Sequence, residues 1–146
     1  MEIETHNLIE THKVAQNFLL KLPENFKGAT VIFLFGDLGA GKTAFTQGLA
    51  KALGVTEELT SPTFVIQKIY HLPQGQKFNN MIHIDCYRLE SDRDWTVLNM
   101  DNILEDKANL VVIEWPEKIA KLSTIEALKI EFKFINEDTR IIKILS

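Results

Sequence analysis

Hydrophobic positions follow three different spacings along this chain, and each spacing predicts a different kind of element. Val31-Ile32-Phe33-Leu34-Phe35 and Leu110-Val111-Val112-Ile113 are unbroken apolar runs. Both are too short for helices and rich in strand formers, which predicts strands buried on both faces. Helical spacing appears twice. Asn7-Leu8-Ile9-Glu10 has the form of a capping box, and behind it Val14, Ala15, Phe18, Leu19 and Leu22 make one stripe that ends before Pro23. Thr11 lies on that stripe, one turn ahead of Val14 and Ala15. From Ala44 to Leu53 a second helix carries Phe45, Leu49 and Ala52/Leu53 on one face, with Gly54 where a C-cap belongs.

The third spacing is alternation. Phe64 to Tyr70 and Met81 to Asp85 flank the turn Leu72-Pro73-Gln74-Gly75-Gln76, which predicts a hairpin and sets antiparallel pairing beside a parallel core. Leu128, Ile130, Phe132 and Phe134 alternate with charged residues. Ile142 and Ile144 do the same beyond Asn136-Glu137-Asp138, predicting a C-terminal hairpin that finishes the sheet. Glu90 to Lys107 is polar, anchored by Trp95, Leu98, Ile103 and Leu104, and reads as one or two short surface helices. No repeat, low-complexity tract or linker interrupts the 146 residues, so one domain over 1–146 is expected.

Between the first buried strand and the second helix lies Gly36-Asp37-Leu38-Gly39-Ala40-Gly41-Lys42-Thr43, which spells G-x-x-x-x-G-K-[ST]. Strand, glycine loop, helix is the context in which this motif is a phosphate-binding P-loop. Backbone N–H groups wrap a polyphosphate only where side chains are out of the way, hence the glycines. The helix opening at Lys42 adds its unpaired donors and positive dipole end. Lys42 brings a point charge to the β- and γ-phosphates, and the Thr43 hydroxyl suits Mg2+. Asp37 through Ala44 is therefore the expected nucleotide-binding stretch. At average usage the four fixed positions occur by chance in roughly one chain in two hundred of this size; the flanking elements make coincidence rarer still. The expected fold is α/β: a P-loop NTPase-like three-layer sandwich, its mixed sheet largely parallel with antiparallel edge strands.

Other candidates follow from their places on these elements. Glu114 ends the second buried run, the position where a Walker B acid meets Mg2+ or orients the attacking water. Asp85 ends the strand 81–85 and is a second candidate Mg2+ partner. His83, on the same strand face as Asp85, reads as a satisfied core histidine rather than a ligand. Ser61 and Thr63, in the polar loop Thr60-Ser61-Pro62-Thr63-Phe64, read either as turn caps or as hydroxyls near the γ-phosphate. Thr11 reads as a half-buried helix threonine or as a hydroxyl at the nucleotide pocket. Trp115 reads as core or as a partly exposed interface aromatic.

Charge and composition narrow the functional classes. A net charge of −4 and a pI near 5.6 argue against broad contact with a nucleic-acid backbone, so no DNA binding is expected. The single Cys86 permits no intrachain disulfide and suits a reducing compartment. The acidic N-terminus lacks the features of a signal peptide, and no apolar run approaches membrane-spanning length. A cytoplasmic protein with no membrane association is expected.

With these residues in view, the chain resembles the bacterial TsaE (YjeE) family. The resemblance rests on GDLGAGKT at 36–43, SPTF at 61–64, HIDCYRL at 83–89 and EWP at 114–116, in order and spacing, and covers essentially the full chain. It implies an ATPase component of the machinery that makes N6-threonylcarbamoyladenosine in tRNA. ATP and Mg2+ would be its cofactors and TsaB and TsaD homologues its partners, with tRNA reached through the complex. It implies that Lys42 and Thr43 hold phosphates and Mg2+, that Asp85 and Glu114 complete the metal and water site, and that Thr63 acts around the γ-phosphate. It also brings Thr11 close to the nucleotide. Two positions depart from the family pattern. Ala44 stands where a second threonine is frequent, and Leu98-Asn99 stands where Leu-Gly is frequent. A GTPase would need an N-K-x-D segment, which the sequence lacks. A small-molecule kinase usually brings an arginine-rich lid, and Arg88, Arg93 and Arg140 are the only arginines.

Overall fold

A computed structural model of the chain describes residues 1–59, 67–89 and 93–145. Seven strands form one mixed sheet. They are β1 (Glu2–Thr5), β2 (Thr30–Phe35), β3 (Gln67–His71), β4 (Asn80–Asp85), β5 (Asn109–Glu114), β6 (Leu128–Phe134) and β7 (Arg140–Leu145), in the order β1-β7-β6-β2-β5-β4-β3. The four central strands β6, β2, β5 and β4 run parallel, and the pairings outside them are antiparallel. The two unbroken apolar runs are the central pair β2 and β5, buried almost from end to end. Such strands have no solvent face, so alternation has nothing to select for.

Helices α1 (Leu8–Leu20) and α2 (Lys42–Ala52) cover one face, with Phe18, Phe45 and Leu49 packed on Ile32, Leu34, Val112 and Ile130. On the other face, α3 (Arg93–Val97), α4 (Met100–Glu105) and two 3-10 turns (Pro116–Lys118, Ala120–Thr124) bring Trp95, Ile103 and Leu122 onto Val31, Phe33, Val111 and Ile113. The result is the three-layer arrangement expected from the pattern. Among the described residues no helix is long and apolar enough to cross a membrane.

Local chemistry sets the element ends. Asn7 caps α1 by accepting the Glu10 N–H at 2.8 Å. The return half of the box is displaced by one residue, because the Glu10 carboxylate takes the His6 N–H, at 2.6 Å, rather than that of Asn7. Helix α2 ends in a Schellman turn: Gly54, at φ 86°, donates to Lys51, and Val55 donates to Ala50. The helices lie so close that a Cβ on Gly48 would stand 2.8 Å from the His12 Cα and 2.9 Å from the Ala15 Cβ. Asn99 sits at φ 57° as the N-cap of α4. Asparagine tolerates that left-handed backbone better than most residues with a side chain.

The hydrophobic pattern did not announce β1. Four residues, E-I-E-T, with one strand neighbour, give too short an alternation to register. Pairing with β7, in the register Ile3↔Ile142 and Thr5↔Arg140, supplies what the local sequence lacks.

Candidate nucleotide site

The loop after β2 turns tightly enough to require glycine. Gly36 has φ 145°, and a Cβ there would lie 2.6 Å from the Phe132 carbonyl oxygen. Gly41, at φ 109°, is the N-cap of α2, so the helix starts at Lys42 with its first N–H groups turned to the loop. Ala40 closes the intervening turn by donating its N–H to the Asp37 carbonyl at 3.1 Å.

Lys42 is 5% exposed. Its Nζ donates to the carbonyls of Gly36 and Asp37 and lies 4.5 Å from the centre of the Trp115 ring. Burial pushes its pKa below the usual lysine range, against the opposing pull of Glu114, Asp85, Glu117 and Asp37. Facing it are two carboxylates from adjacent strand ends, since Asp85 of β4 stands opposite Glu114 of β5 in the register. They are 6% and 3% exposed. Asp85 Oδ1 accepts the Tyr87 N–H at 2.9 Å, and Glu114 Oε2 meets His83 Nε2 at 2.6 Å. The tilted Tyr87 ring lies 5.1 Å from that of Trp115.

Lys42, Thr43, Ala44, Asp85, Glu114 and Trp115 share a cavity of about 500 Å³ with Asp37, Leu38, Gly39 and Gly41 of the loop. It opens beyond the carboxyl ends of the parallel strands, where α/β sheets place their ligand crevices. One hydroxyl and two carboxylates are the hard oxygen donors that Mg2+ takes alongside water and phosphate, so the donor set fits that ion. Among the described residues no group of three or more His, Cys, Asp or Glu side chains is placed to hold a metal by itself.

Thr11 also reaches this cavity. It is 5% exposed, and its hydroxyl donates to Thr5 Oγ1 at 3.1 Å. Ala40 is the expected binding residue that stays off the wall: its methyl group is buried in the core, leaving only backbone to the loop. Ser61 and Thr63 lie outside the described residues.

The outer rim was not anticipated from the sequence. Thr5, His6, Asn7 and Leu8 form one side, and Glu137, Asp138 and Arg140 the other. Arg140 donates from Nε to the Gly39 carbonyl at 3.1 Å and stacks 4.5 Å over Phe134, tying the start of β7 to the phosphate loop. No local motif marks these residues. The available signal was the C-terminal hairpin, whose turn had to land beside something.

The model of the family described as "Threonylcarbamoyl adenosine biosynthesis protein TsaE" matches residues 5–142. The chain is 34% identical over 137 residues to the tRNA threonylcarbamoyladenosine biosynthesis protein TsaE of Rickettsia prowazekii, covering 93% of this chain and 91% of that protein. It is 35% identical over 128 residues to the protein of the same name from Mycobacterium tuberculosis, covering 83% and 74%. The crystal structure of Bacillus subtilis YdiB superposes with a TM-score of 0.75 at 29% identity, over 99% of this chain and 83% of that one. Fold, loop chemistry and full-length similarity agree: the chain belongs to the TsaE family and is a component of tRNA threonylcarbamoyladenosine biosynthesis.

Proposed function

We propose that this protein binds ATP with Mg2+ in the cavity above β2, β4 and β5 and hydrolyses it to ADP and phosphate. In this reading it works in the cytoplasm, as a nucleotide-dependent switch on an assembly of TsaB and TsaD homologues that modifies adenosine in tRNA. One observation carries the reading. A lysine and a threonine at a helix N-terminus face two buried strand-end carboxylates across a cavity walled by the glycine loop.

Each group then has a task. The loop N–H groups and the N-terminus of α2 supply donors for phosphate oxygens without needing to reorganise. Lys42, held under Trp115, adds its charge where burial strengthens electrostatics. Thr43, with Asp85 or Glu114, would hold Mg2+, which when bound neutralises charge on the β- and γ-phosphates. The carboxylate that does not ligate the ion would orient the attacking water and accept its proton. Because Trp115 follows Glu114 directly and lines the cavity mouth, it is suited to report the phosphate state to a partner.

The test measures phosphate release by the isolated chain and with the two partners, together with partner affinity in ATP, ADP and non-hydrolysable states. Partner-stimulated release and tighter association with the triphosphate are expected. Trp115→Ala should weaken that coupling while leaving nucleotide affinity largely intact. Equal partner affinity in every state overturns the switch, and transfer of the γ-phosphoryl group to a small acceptor instead of water makes the protein a kinase. Competition binding should favour ATP over GTP; a clear GTP preference is incompatible with the reading.

A further inference from the structure

We infer that His83 is a positioning residue for Glu114: its imidazole fixes one carboxylate oxygen so that the other is presented to the cavity. The inference rests on the reading of Glu114 as a carboxylate of the metal and water site.

The placement follows from strand geometry. On β4, Met81, His83 and Asp85 share the face covered by α2, and on β5 Leu110, Val112 and Glu114 do the same. Asp85 pairs with Glu114 and His83 with Val112, so His83 lies one step deeper in the sheet than the carboxylate it meets. His83 is fully buried, its side-chain contact with Glu114 is 2.6 Å, and the Glu114 side chain is 4% exposed. A glutamate at a strand end would ordinarily rotate among several rotamers. Here one oxygen is held from below.

The imidazole proton is assignable from the surroundings. His83 Nδ1 is buried and has no hydrogen-bond partner among the described residues. In a neutral ring a proton on Nδ1 would strand a buried donor, while an ionised carboxylate is acceptor-only. The stable arrangement puts the proton on Nε2, donating to Glu114 Oε2. A histidine present only to fill space would leave the carboxylate orientation to chance. This one selects it, as outer partners of metal-site ligands do.

Two measurements test this on the full chain. In long-range 1H–15N spectra of the protein without nucleotide, His83 should show the Nε2–H tautomer, and its resonances should shift in Glu114→Ala. An Nδ1–H tautomer, or a spectrum indifferent to that substitution, overturns the inference whatever the turnover. In partner-stimulated hydrolysis, His83→Leu keeps the volume but loses the donor. It should lower kcat about 10- to 100-fold with KM little changed. His83→Gln, whose amide reaches the Nε2 position, should recover most of that loss, and His83→Asn, which reaches only the Nδ1 position, should not. If the leucine variant does not fold, the Gln and Asn pair carries the comparison. Equal kcat in Gln and Asn variants, or loss through KM alone, overturns the positioning role. A wild-type protein without hydrolysis refutes the ATPase reading instead, and the spectra still decide the hydrogen bond.

Discussion

At its inner end the cavity is walled by Lys42, Asp85 and Glu114, none more than 6% exposed, whereas Leu8, Glu137 and Asp138 on the outer rim stand in solvent. The inner groups sit at the ends of the central strands and the start of α2; the rim gathers the end of β1, the start of α1 and the turn that leads into β7. Burial is costly for charge, but it also removes the water that would screen it. Charges at the inner end therefore act strongly on whatever enters, while those on the rim act weakly and in proportion to ionic strength. The same kind of substitution should have very different consequences at the two ends.

The largest effect is expected from Lys42→Ala. Removing a buried ammonium that, in the proposed reading, would face the phosphates should weaken ATP binding about a hundredfold or more, since each charge-assisted bond contributes about 1.5–3 kcal/mol. Calorimetry on the folded variant checks this, and near-normal affinity would break the assignment of the inner end. Glu114→Ala and Asp85→Ala should separate turnover from binding. With the loop and Lys42 intact, hydrolysis should fall about 10²- to 10³-fold while affinity changes severalfold at most. Equal loss of both would mean that these acids hold the site's structure.

The rim should respond more gently. Arg140→Ala removes a half-buried guanidinium together with its bonds to the Gly39 carbonyl and to the carbonyls of the 136–139 turn, and affinity should fall about three- to tenfold, more at low salt than at high. A salt-independent loss as large as that of Lys42→Ala would erase the distinction between the two ends.

How far each end was legible in the sequence follows from how local its construction is. Lys42 and Thr43 belong to one contiguous motif, Glu114 closes an unbroken apolar run, and Asp85 closes a strand recognisable as one arm of a hairpin. The central strands, the two long helices and both hairpins were readable for the same reason. Thr5 and Arg140 meet only because β1 pairs with β7, joining residues 135 positions apart through a strand whose one inward apolar side chain is Ile3. No window of sequence contains that contact. His83 is intermediate. Alternation put it on the face of Asp85, but its actual partner, Glu114, comes from the neighbouring strand and depends on register. Asn99 shows the reverse case, a residue that no apolar spacing marks but that the left-handed backbone at φ 57° suits.

Trp115 also lies in the left-handed region, at φ 57°, immediately before Pro116. A bulky side chain there costs about 1–2 kcal/mol that glycine would not. The usual ranking of the two smallest residues should therefore invert: Trp115→Gly should be more stable than Trp115→Ala by about 1 kcal/mol, read from urea unfolding. The opposite order would mean that the left-handed turn is not retained in the variants. If the inversion holds, the backbone of this turn by itself favours glycine over a side chain. The indole then occupies a backbone that resists it, and its contacts with Lys42 and Tyr87 have to offset that local cost.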